Sequence, residues 1–207
     1  MDFFNAVTSQ ADVKKYEKRG VDDKLIGVML YMANHAESSG NLQGWEFIVV
    51  RDPEIKKKLH KAALKLDVVR DAPVDIVVCA DLKKFSIKYE ERGEYLYSIQ
   101  DTAGAITIMM LAAQILGLGT NWVRAFDEQD VKVTLGLPNE VRPVGIITVG
   151  YPADKTGKKS PKPFEYMTSL DMFKRKYDIS YLFQIGPKEE VFKPILNQII
   201  DKLKKEK

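Results

Sequence analysis

Two kinds of apolar pattern alternate along this chain. Between residues 22 and 36, Leu25, Ile26, Met29, Leu30 and Ala33 follow the spacing of one helix face, which predicts an amphipathic helix. Short continuous apolar runs elsewhere predict strands. The predicted helices cover residues 2–8, 22–36, 53–66, 99–116, 128–135 and 192–205, and the predicted strands cover residues 47–50, 75–80, 120–123 and 144–149. This alternation of helices and strands indicates an α+β or α/β domain.

The longest predicted helix, residues 99–116, is apolar nearly all round, as expected of a helix buried on most sides. Its small residues would let another helix approach closely, including one from a second subunit, and they are Ala103, Gly104, Ala105, Ala112 and Ala113. Thr107 and Gln114 make this helix too polar, and its length makes it too short, to span a membrane. The charged stretch before it, residues 82–94, is predicted to be a mobile loop or lid.

The composition is that of a globular protein and argues against several kinds of partner. The 207 residues suggest one domain, or one domain with appendages. The net charge is only +3, so the charge does not require a nucleic acid partner. The two histidines share no metal-ligand spacing with each other or with the single cysteine, so we expect no metal site.

The cysteine and the first residues bear on the cellular compartment. Cys79 lies within an apolar run, so we expect it to be buried in a strand and not to act as a nucleophile. A single thiol excludes an internal disulfide and fits a reducing compartment. Asp2 directly follows Met1, and no apolar segment precedes the first charges, so no signal peptide is expected. These features predict a cytoplasmic protein with no membrane partner.

The junction between the second predicted helix and the first predicted strand is rich in polar side chains. Its members are Ser38, Ser39, Gly40, Asn41 and Gln43, and Trp45 follows them. Hydroxyls, an amide and free backbone N–H groups in one place would bind a polar, planar ligand. The alternative is a helix stop, in which Gly40 is the left-handed cap and the serines and Asn41 close the turn. The local chemistry leaves both interpretations open.

The common catalytic motifs are absent from the sequence. It has no G-x-G-x-x-G after a strand, no Walker-type loop and no G-x-S-x-G elbow, and Gly117 and Gly119 mark the end of a helix. Asp101, at the head of the long apolar helix, is interpreted as an ordinary charge at a helix N-terminus. An enzyme with this sequence would therefore depend on a cofactor for its chemistry. Lysines near both ends would neutralise a phosphate or are simply solvated, and they are Lys14, Lys15, Lys158, Lys159 and Lys162.

A series of short motifs, taken in order, resembles the nitroreductase family of flavin enzymes. The motifs lie at residues 4–7 (F-x-A-V), 13–16 (VKKY), 38–50 (SSGNLQ-x-W-x-FIVV), 71–78 (DAPV-x-IVV), 100–103 (QDTA), 111–113 (LAA), 117–126 (GLGT-x-WV-x-AF), 135–138 (LGLP) and 149–152 (VGYP). Each motif is weak alone, but their order and spacing together are specific. The resemblance covers roughly residues 3–168.

The resemblance implies a fold, a cofactor and a reaction. The fold would be α+β, with a central, mainly antiparallel sheet flanked by helices, in a homodimer with intertwined subunits. FMN would lie at the dimer interface and would be reduced by NADH or NADPH. The reduced flavin would then reduce nitroaromatics, quinones or other small-molecule acceptors in a ping-pong cycle.

The resemblance also assigns segments of the chain to the flavin. Residues 38–41 match the family segment that contacts the flavin from the partner subunit. Residues 122–125 match the segment whose backbone follows the isoalloxazine edge, where an N–H can face the flavin N5. The cofactor-binding residues that the resemblance implies are Gln10, Asp12, Lys14, Ser38, Ser39, Gly40, Asn41, Gln43, Trp122, Val123, Arg124, Ala125, Lys159 and Lys162.

The sequence departs from the family pattern at the phosphate-binding run. The family reads roughly Arg-Arg-Ser-x-Arg there, and this chain reads Gln10, Ala11, Asp12, Val13 and Lys14. Arginine binds phosphate bidentately, whereas lysine is only a point charge. A carboxylate at Asp12 repels a phosphate unless it pairs with a neighbouring lysine. Arg124 also replaces the small residue that usually follows the Trp-Ile pair.

Three hypotheses follow. The first is an FMN-dependent oxidoreductase that uses NAD(P)H. The second is a redox-inactive flavin- or ligand-binding member of the family, and the third is a specialised flavin reductase or dehalogenase. The flavin-binding domain is predicted over residues 1–170, and residues 171–207 are predicted to form a C-terminal arm with an amphipathic helix that wraps the partner subunit or covers the site.

Overall fold

The computed structural model describes residues 1–154 and 161–177 of the chain. The helices are α1 (Phe3–Ser9), α2 (Asp23–Ala33), α3 (Pro53–Ala62), α4 (Asp67–Asp71), α5 (Leu82–Arg92), α6 (Ser98–Ile115) and α7 (Glu128–Leu135), and the strands are β1 (Trp45–Val50), β2 (Val74–Asp81), β3 (Gly119–Val123) and β4 (Val141–Gly150). Short 3-10 turns cover Ser39–Asn41 and Phe164–Met167, and a π-helical turn covers Gly93–Tyr97. The chain divides into two compact units, Met1–Lys158 and Lys159–Lys207.

The four strands form one sheet in the order β1-β2-β4-β3. Every neighbouring pair is antiparallel, as expected from the predicted fold class. Phe47 pairs with Val78, and Val78 pairs with Gly145, just before an irregularity in the register at Cys79. β1 and β3 are therefore the two edge strands of the sheet.

Helices cover both faces of the sheet. Side chains alternate between the two faces along a strand, and both sets of β2 side chains are largely apolar and buried. Ile76 and Val78 of β2 point to one face, where they pack with α2 and α6. Val77 and Cys79 point to the other face, where they pack with α3 and α7. Burial on both sides explains why β2 appears in the sequence as a continuous apolar run.

Helix starts follow the local sequence. Asp52 accepts hydrogen bonds from the backbone N–H groups of Glu54 and Ile55, both at 2.9 Å, and caps α3, with Pro53 in its first turn. Asp22 caps α2 in the same way through the backbone N–H of Lys24 at 2.8 Å. The apolar spacing within residues 22–36 predicted α2, and α3 corresponds to the helix predicted to begin at residue 53.

The prediction of a mobile loop over residues 82–94 is wrong. This stretch forms α5 and runs into the π-helical turn Gly93–Tyr97. The charged side chains obscured the apolar side of this helix, where Phe85 is fully buried. The helix predicted over residues 53–66 ends earlier, at Ala62, and the short helix α4 was not predicted. The predicted helix over residues 192–205 lies outside the described residues, and the predicted domain boundary at residue 170 stays a prediction.

The described residues bear on the expected partners. Within residues 1–154 and 161–177, no helix combines the length and the apolar character that crossing a membrane requires. The same residues contain no group of acidic, histidine and cysteine side chains that could hold a metal ion. Cys79 is fully buried, and burial raises the pKa of its thiol to about 12, which makes it a poor nucleophile as predicted.

Candidate functional site

Residues 38–43, here called the serine loop, form an irregular turn and not a helix end. Helix α2 already ends at Ala33, and its C-terminal cap is Asn34. Gly40 has a φ of 53°, but it lies within the 3-10 turn and does not cap α2, so the helix-stop interpretation is wrong. Asn41 also has positive φ, at 57°, which is uncommon for a residue with a side chain. Such strain concentrates at functional sites.

Hydrogen bonds within the chain hold the serine loop in shape. The backbone N–H of Ser39 donates to Asp101 Oδ2 at 2.7 Å, and its hydroxyl donates to Asp101 Oδ1 at 3.0 Å. The backbone N–H of Gln43 donates to Ser38 Oγ at 3.2 Å, and its side-chain amide donates to Asn41 Oδ1 at 2.8 Å. The amides of Ser39 and Gln43 are therefore occupied and not free, contrary to expectation. The Ser38 hydroxyl accepts its bond and still has a proton to donate.

Asp101 has a role that the sequence analysis did not assign. It lies in the first turn of α6, as expected, and it is 7% exposed. Its two carboxylate oxygens bind both donors of Ser39, 62 residues earlier in the chain. No local pattern signals a contact over that separation. Asp101 therefore positions the serine loop, and it also interacts favourably with the helix N-terminus.

Helix α5 packs against the serine loop at Gly40. Lys88 Nζ donates to the Gly40 carbonyl oxygen at 2.9 Å. A Cβ atom at Gly40 would collide with the Tyr89 hydroxyl and the Lys88 ammonium group. The positive φ favours glycine at this position, whereas the ends of the two side chains could move to make room for a Cβ atom.

The second predicted segment, residues 122–125, lies at the end of edge strand β3. Val123 is 3% exposed and packs in the core, so only its backbone is available to a ligand. The Trp122 indole N–H is buried, and the described residues offer it no hydrogen-bond partner. The Arg124 guanidinium lies 3.8 Å above the centre of the Trp122 ring. The exposed Arg124 and Ala125 continue the chain beyond the sheet.

A cavity of about 260 Å³ lies beside this segment and is here called the Arg124 cavity. Its apolar lining includes Ile99 and Phe126, and its charged lining consists of Arg124, Arg142 and Glu128. Arg142 binds Glu128 through two hydrogen bonds, Nη2 to Oε1 at 2.8 Å and Nε to Oε2 at 3.0 Å. One subunit therefore forms a cavity smaller than most complete ligand sites.

The predicted phosphate-binding residues lie along the same edge strand. Gln10 ends α1 in an extended conformation, and Asp12 pairs with Thr120 of β3 through a parallel bridge. The N–H of Val13 donates to the Thr120 carbonyl at 3.0 Å. The side chains of Asp12 and Lys14 are both exposed.

Tyr16 anchors this segment to the sheet. Its hydroxyl lies 2.6 Å from Thr148 Oγ1 and donates to the Thr148 carbonyl at 3.1 Å. Burial raises the pKa of Tyr16 well above its ordinary value, so the phenol stays neutral. The next residue, Glu17, donates its N–H to the Tyr151 carbonyl at 2.8 Å. Residues 12–17 are therefore fixed against the sheet.

The remaining predicted residues lie in the second unit. Lys162 is exposed, and Lys159 lies outside the described residues. A cavity of about 520 Å³ lies within residues 165–177. The described residues that line it include none of the predicted cofactor-binding residues.

The sheet register shows which parts of the site meet in one subunit. Trp45, just after the serine loop, pairs with Ala80, and Ala80 pairs with Arg142 at the Arg124 cavity. The loop and residues 122–125 thus lie toward the same end of the sheet but at opposite edges, three strand spacings apart across the sheet. Asp12 and Arg124 lie along one edge, about 13 Å apart from their strand positions.

Comparison of the sequence with models of known protein families identifies the family of this chain. The model of the nitroreductase family matches residues 7–66 and 60–151. The chain belongs to the nitroreductase family. This confirms the family and the fold predicted from the motifs at residues 4–152. The matched range includes both the serine loop and residues 122–125.

Individual members of the nitroreductase family are similar over most of the chain. A protein of Archaeoglobus fulgidus, provisionally named an NADH dehydrogenase/NAD(P)H nitroreductase, is 31% identical over 72% of this chain and 84% of its own length. An FMN reductase [NAD(P)H] of Bacillus subtilis is 26% identical over 83% of this chain and 74% of its own. The structure of NfrA2 from B. megaterium superposes with a TM-score of 0.78 at 26% identity, covering 89% of this chain and 79% of that one.

Proposed function

We propose that this protein is an FMN-dependent oxidoreductase that takes electrons from NADH or NADPH and passes them to small-molecule acceptors such as nitroaromatics or quinones. Membership of the nitroreductase family and similarity to an FMN reductase [NAD(P)H] support the cofactor and the reductant. The observation that carries the proposal is that Asp12 and Arg124 lie along one edge strand, about 13 Å apart from their strand positions. That spacing suits a ligand with a phosphate at one end and a planar ring at the other.

The residues at each end fit the two ends of FMN. Lys14 and Lys15 supply two exposed cations beside the single carboxylate of Asp12, so the segment can bind a phosphate without arginine. Arg124 and Ala125 offer exposed backbone past the end of β3. When bound, the flavin accepts a hydride from the nicotinamide and returns it to the acceptor.

The serine loop would complete the site from a second subunit. The loop lies at the opposite edge of its own sheet from residues 122–125, so it serves a flavin site best across an interface. There, the Ser38 hydroxyl and the side-chain NH2 group of Asn41 would bind the polar edge of the ring. Asp101 would hold the loop in the required shape before the ligand arrives.

Exposed apolar side chains support a homodimer. On α2, Tyr31 is 65% exposed and Met32 is 42% exposed, and on the neighbouring α6, Ile115 is 49% exposed. A Cβ atom at Gly104, on the outer side of α6, would meet no atom within 4 Å. An apolar surface of this kind on a subunit is typical of an interface. We place the dimer in the cytoplasm, since a chain with a single cysteine forms no internal disulfide and suits a reducing compartment.

Anaerobic reduction of the bound flavin tests this function. We expect NADH or NADPH to bleach the long-wavelength flavin band, and a nitroaromatic or quinone acceptor to restore it. A flavin that stays oxidised with both nucleotides would contradict the proposal and would favour the redox-inactive binding protein. Rapid bleaching with slow reoxidation by every nitroaromatic and quinone would instead favour a specialised reductase or dehalogenase.

A further inference from the structure

The Arg124 cavity combines apolar walls with an excess of positive charge. Ile99, Phe126 and Val144 give it apolar surface on which an aromatic ring can pack. Two arginines face it, but only one carboxylate, that of Glu128. Glu128 is fully engaged with Arg142 through bonds of 2.8 and 3.0 Å.

Arg124 is therefore the cation of this cavity that is available to a ligand. Among the described residues it has no ion-pair partner, whereas Arg142 has Glu128. The guanidinium lies 3.8 Å from the centre of the Trp122 ring, and this cation–π contact restrains it. A guanidinium that is restrained before binding loses less conformational entropy when it binds a carboxylate through two parallel hydrogen bonds.

We propose that Arg124 makes the enzyme selective for acceptors that carry a carboxylate on an aromatic ring. The ring packs on the apolar walls of the Arg124 cavity, and the carboxylate binds the Arg124 guanidinium. This inference rests on the proposed function, because it assigns the acceptor class of the same flavin site.

A matched pair of ligands isolates the contribution of the carboxylate. 4-Nitrobenzoate and 4-nitrobenzamide have nearly the same shape but differ in charge. Calorimetric titration of the oxidised, FMN-loaded protein measures both dissociation constants without turnover, because no reductant is present. We expect the parent protein to bind the acid about tenfold more tightly than the amide.

Variants of Arg124 then test the assignment. Arg124→Gln should remove most of this tenfold preference. Arg124→Lys should keep part of it, since lysine retains the charge but not the pair of parallel N–H donors. Arg70→Gln is the matched control: Arg70 is an exposed arginine on α4, paired with Asp67 and Asp71, and does not line the cavity. This control should leave the preference unchanged.

Two results would overturn the inference, and they are distinguishable from failure of the proposed function. The first is an equal affinity for acid and amide in the parent protein. The second is a preference for the acid that survives in Arg124→Gln. In both cases the flavin would still be bound and still be reduced by NAD(P)H, whereas failure of the proposed function would remove one of those properties.

Discussion

Replacement of Asp75 by asparagine is expected to raise the free energy of unfolding by about 3 kcal/mol at pH 7 but by only about 0.5 kcal/mol at pH 5. Asp75 is fully buried on β2, and neither of its carboxylate oxygens has a hydrogen-bond partner among the described residues. Lys56 Nζ lies 3.7 Å from Oδ2, beyond hydrogen-bonding distance, and donates to the Ala72 carbonyl instead. Burial therefore outweighs the attraction of Lys56 and raises the pKa of Asp75 to about 8.

The sign of the pH dependence follows from this raised pKa. Between pH 3.8, the ordinary value, and about 8, the folded protein keeps a proton on Asp75 that the unfolded chain has released. The contribution of Asp75 to the free energy of unfolding is therefore most favourable at low pH. It falls by up to about 1.4 kcal/mol per pH unit across this window and levels off above it. Asparagine has no proton to bind and removes this loss, while its additional buried N–H costs about 1 kcal/mol.

Urea unfolding at pH 5 and pH 7, at fixed protein and FMN concentrations, measures this difference. Asp130→Asn makes the same chemical change at an exposed position on α7 and should leave the pH dependence unchanged. If Asp75→Asn is destabilising at pH 7, then Asp75 is ionised and its pairing with Lys56 stabilises the fold, contrary to this account.

The second large effect is expected at Asp101. Asp101→Ala should raise the dissociation constant of FMN about thirtyfold, because two hydrogen bonds from Ser39 to a charged group are lost. The serine loop would then have to be ordered by the ligand itself, at the expense of binding energy. Asp101→Asn should have a smaller effect, since the amide oxygen can still accept one of the two bonds. Quenching of flavin fluorescence on binding gives the dissociation constants.

A carboxylate in the first turn of another helix provides the control for Asp101. Glu54 lies in the first turn of α3, is exposed, and makes no contact with the serine loop. Glu54→Ala should leave the FMN dissociation constant unchanged. Equal effects of Asp101→Ala and Glu54→Ala would mean that Asp101 acts only as a helix-terminal charge, and the positioning role would be wrong.

The elements of the core could be predicted from the sequence because their patterns are local. The apolar run around Ile76 requires burial on both faces, and the helical spacing around Met29 requires burial on one. Helix α5 was missed because its charges obscure a face that depends mainly on Phe85. Its packing on the serine loop depends on contacts with Gly40, nearly fifty residues earlier in the chain, which no local pattern records.

The candidate site was predictable in composition but not in its internal contacts. The serine loop was singled out by its polar residues, and the motifs located residues 122–125 on a strand. The bond from Ser39 to Asp101, the stacking of Arg124 on Trp122 and the burial of Lys56 beside Asp75 depend on tertiary contacts. Lys56 belongs to a lysine-rich amphipathic helix, in which an individual lysine is expected to be solvated.

The most direct test of this account is the visible absorbance spectrum of the purified protein, before and after addition of excess FMN and desalting. The account predicts that a flavin spectrum is retained at a ratio of one FMN to each subunit, because Lys14 and Lys15 outweigh Asp12 at the phosphate and a second subunit supplies the serine loop. A colourless protein after reconstitution would contradict it. The replacement of two of the family's arginines by Gln10 and Ala11, and of its serine by Asp12, would then mark a loss of the cofactor.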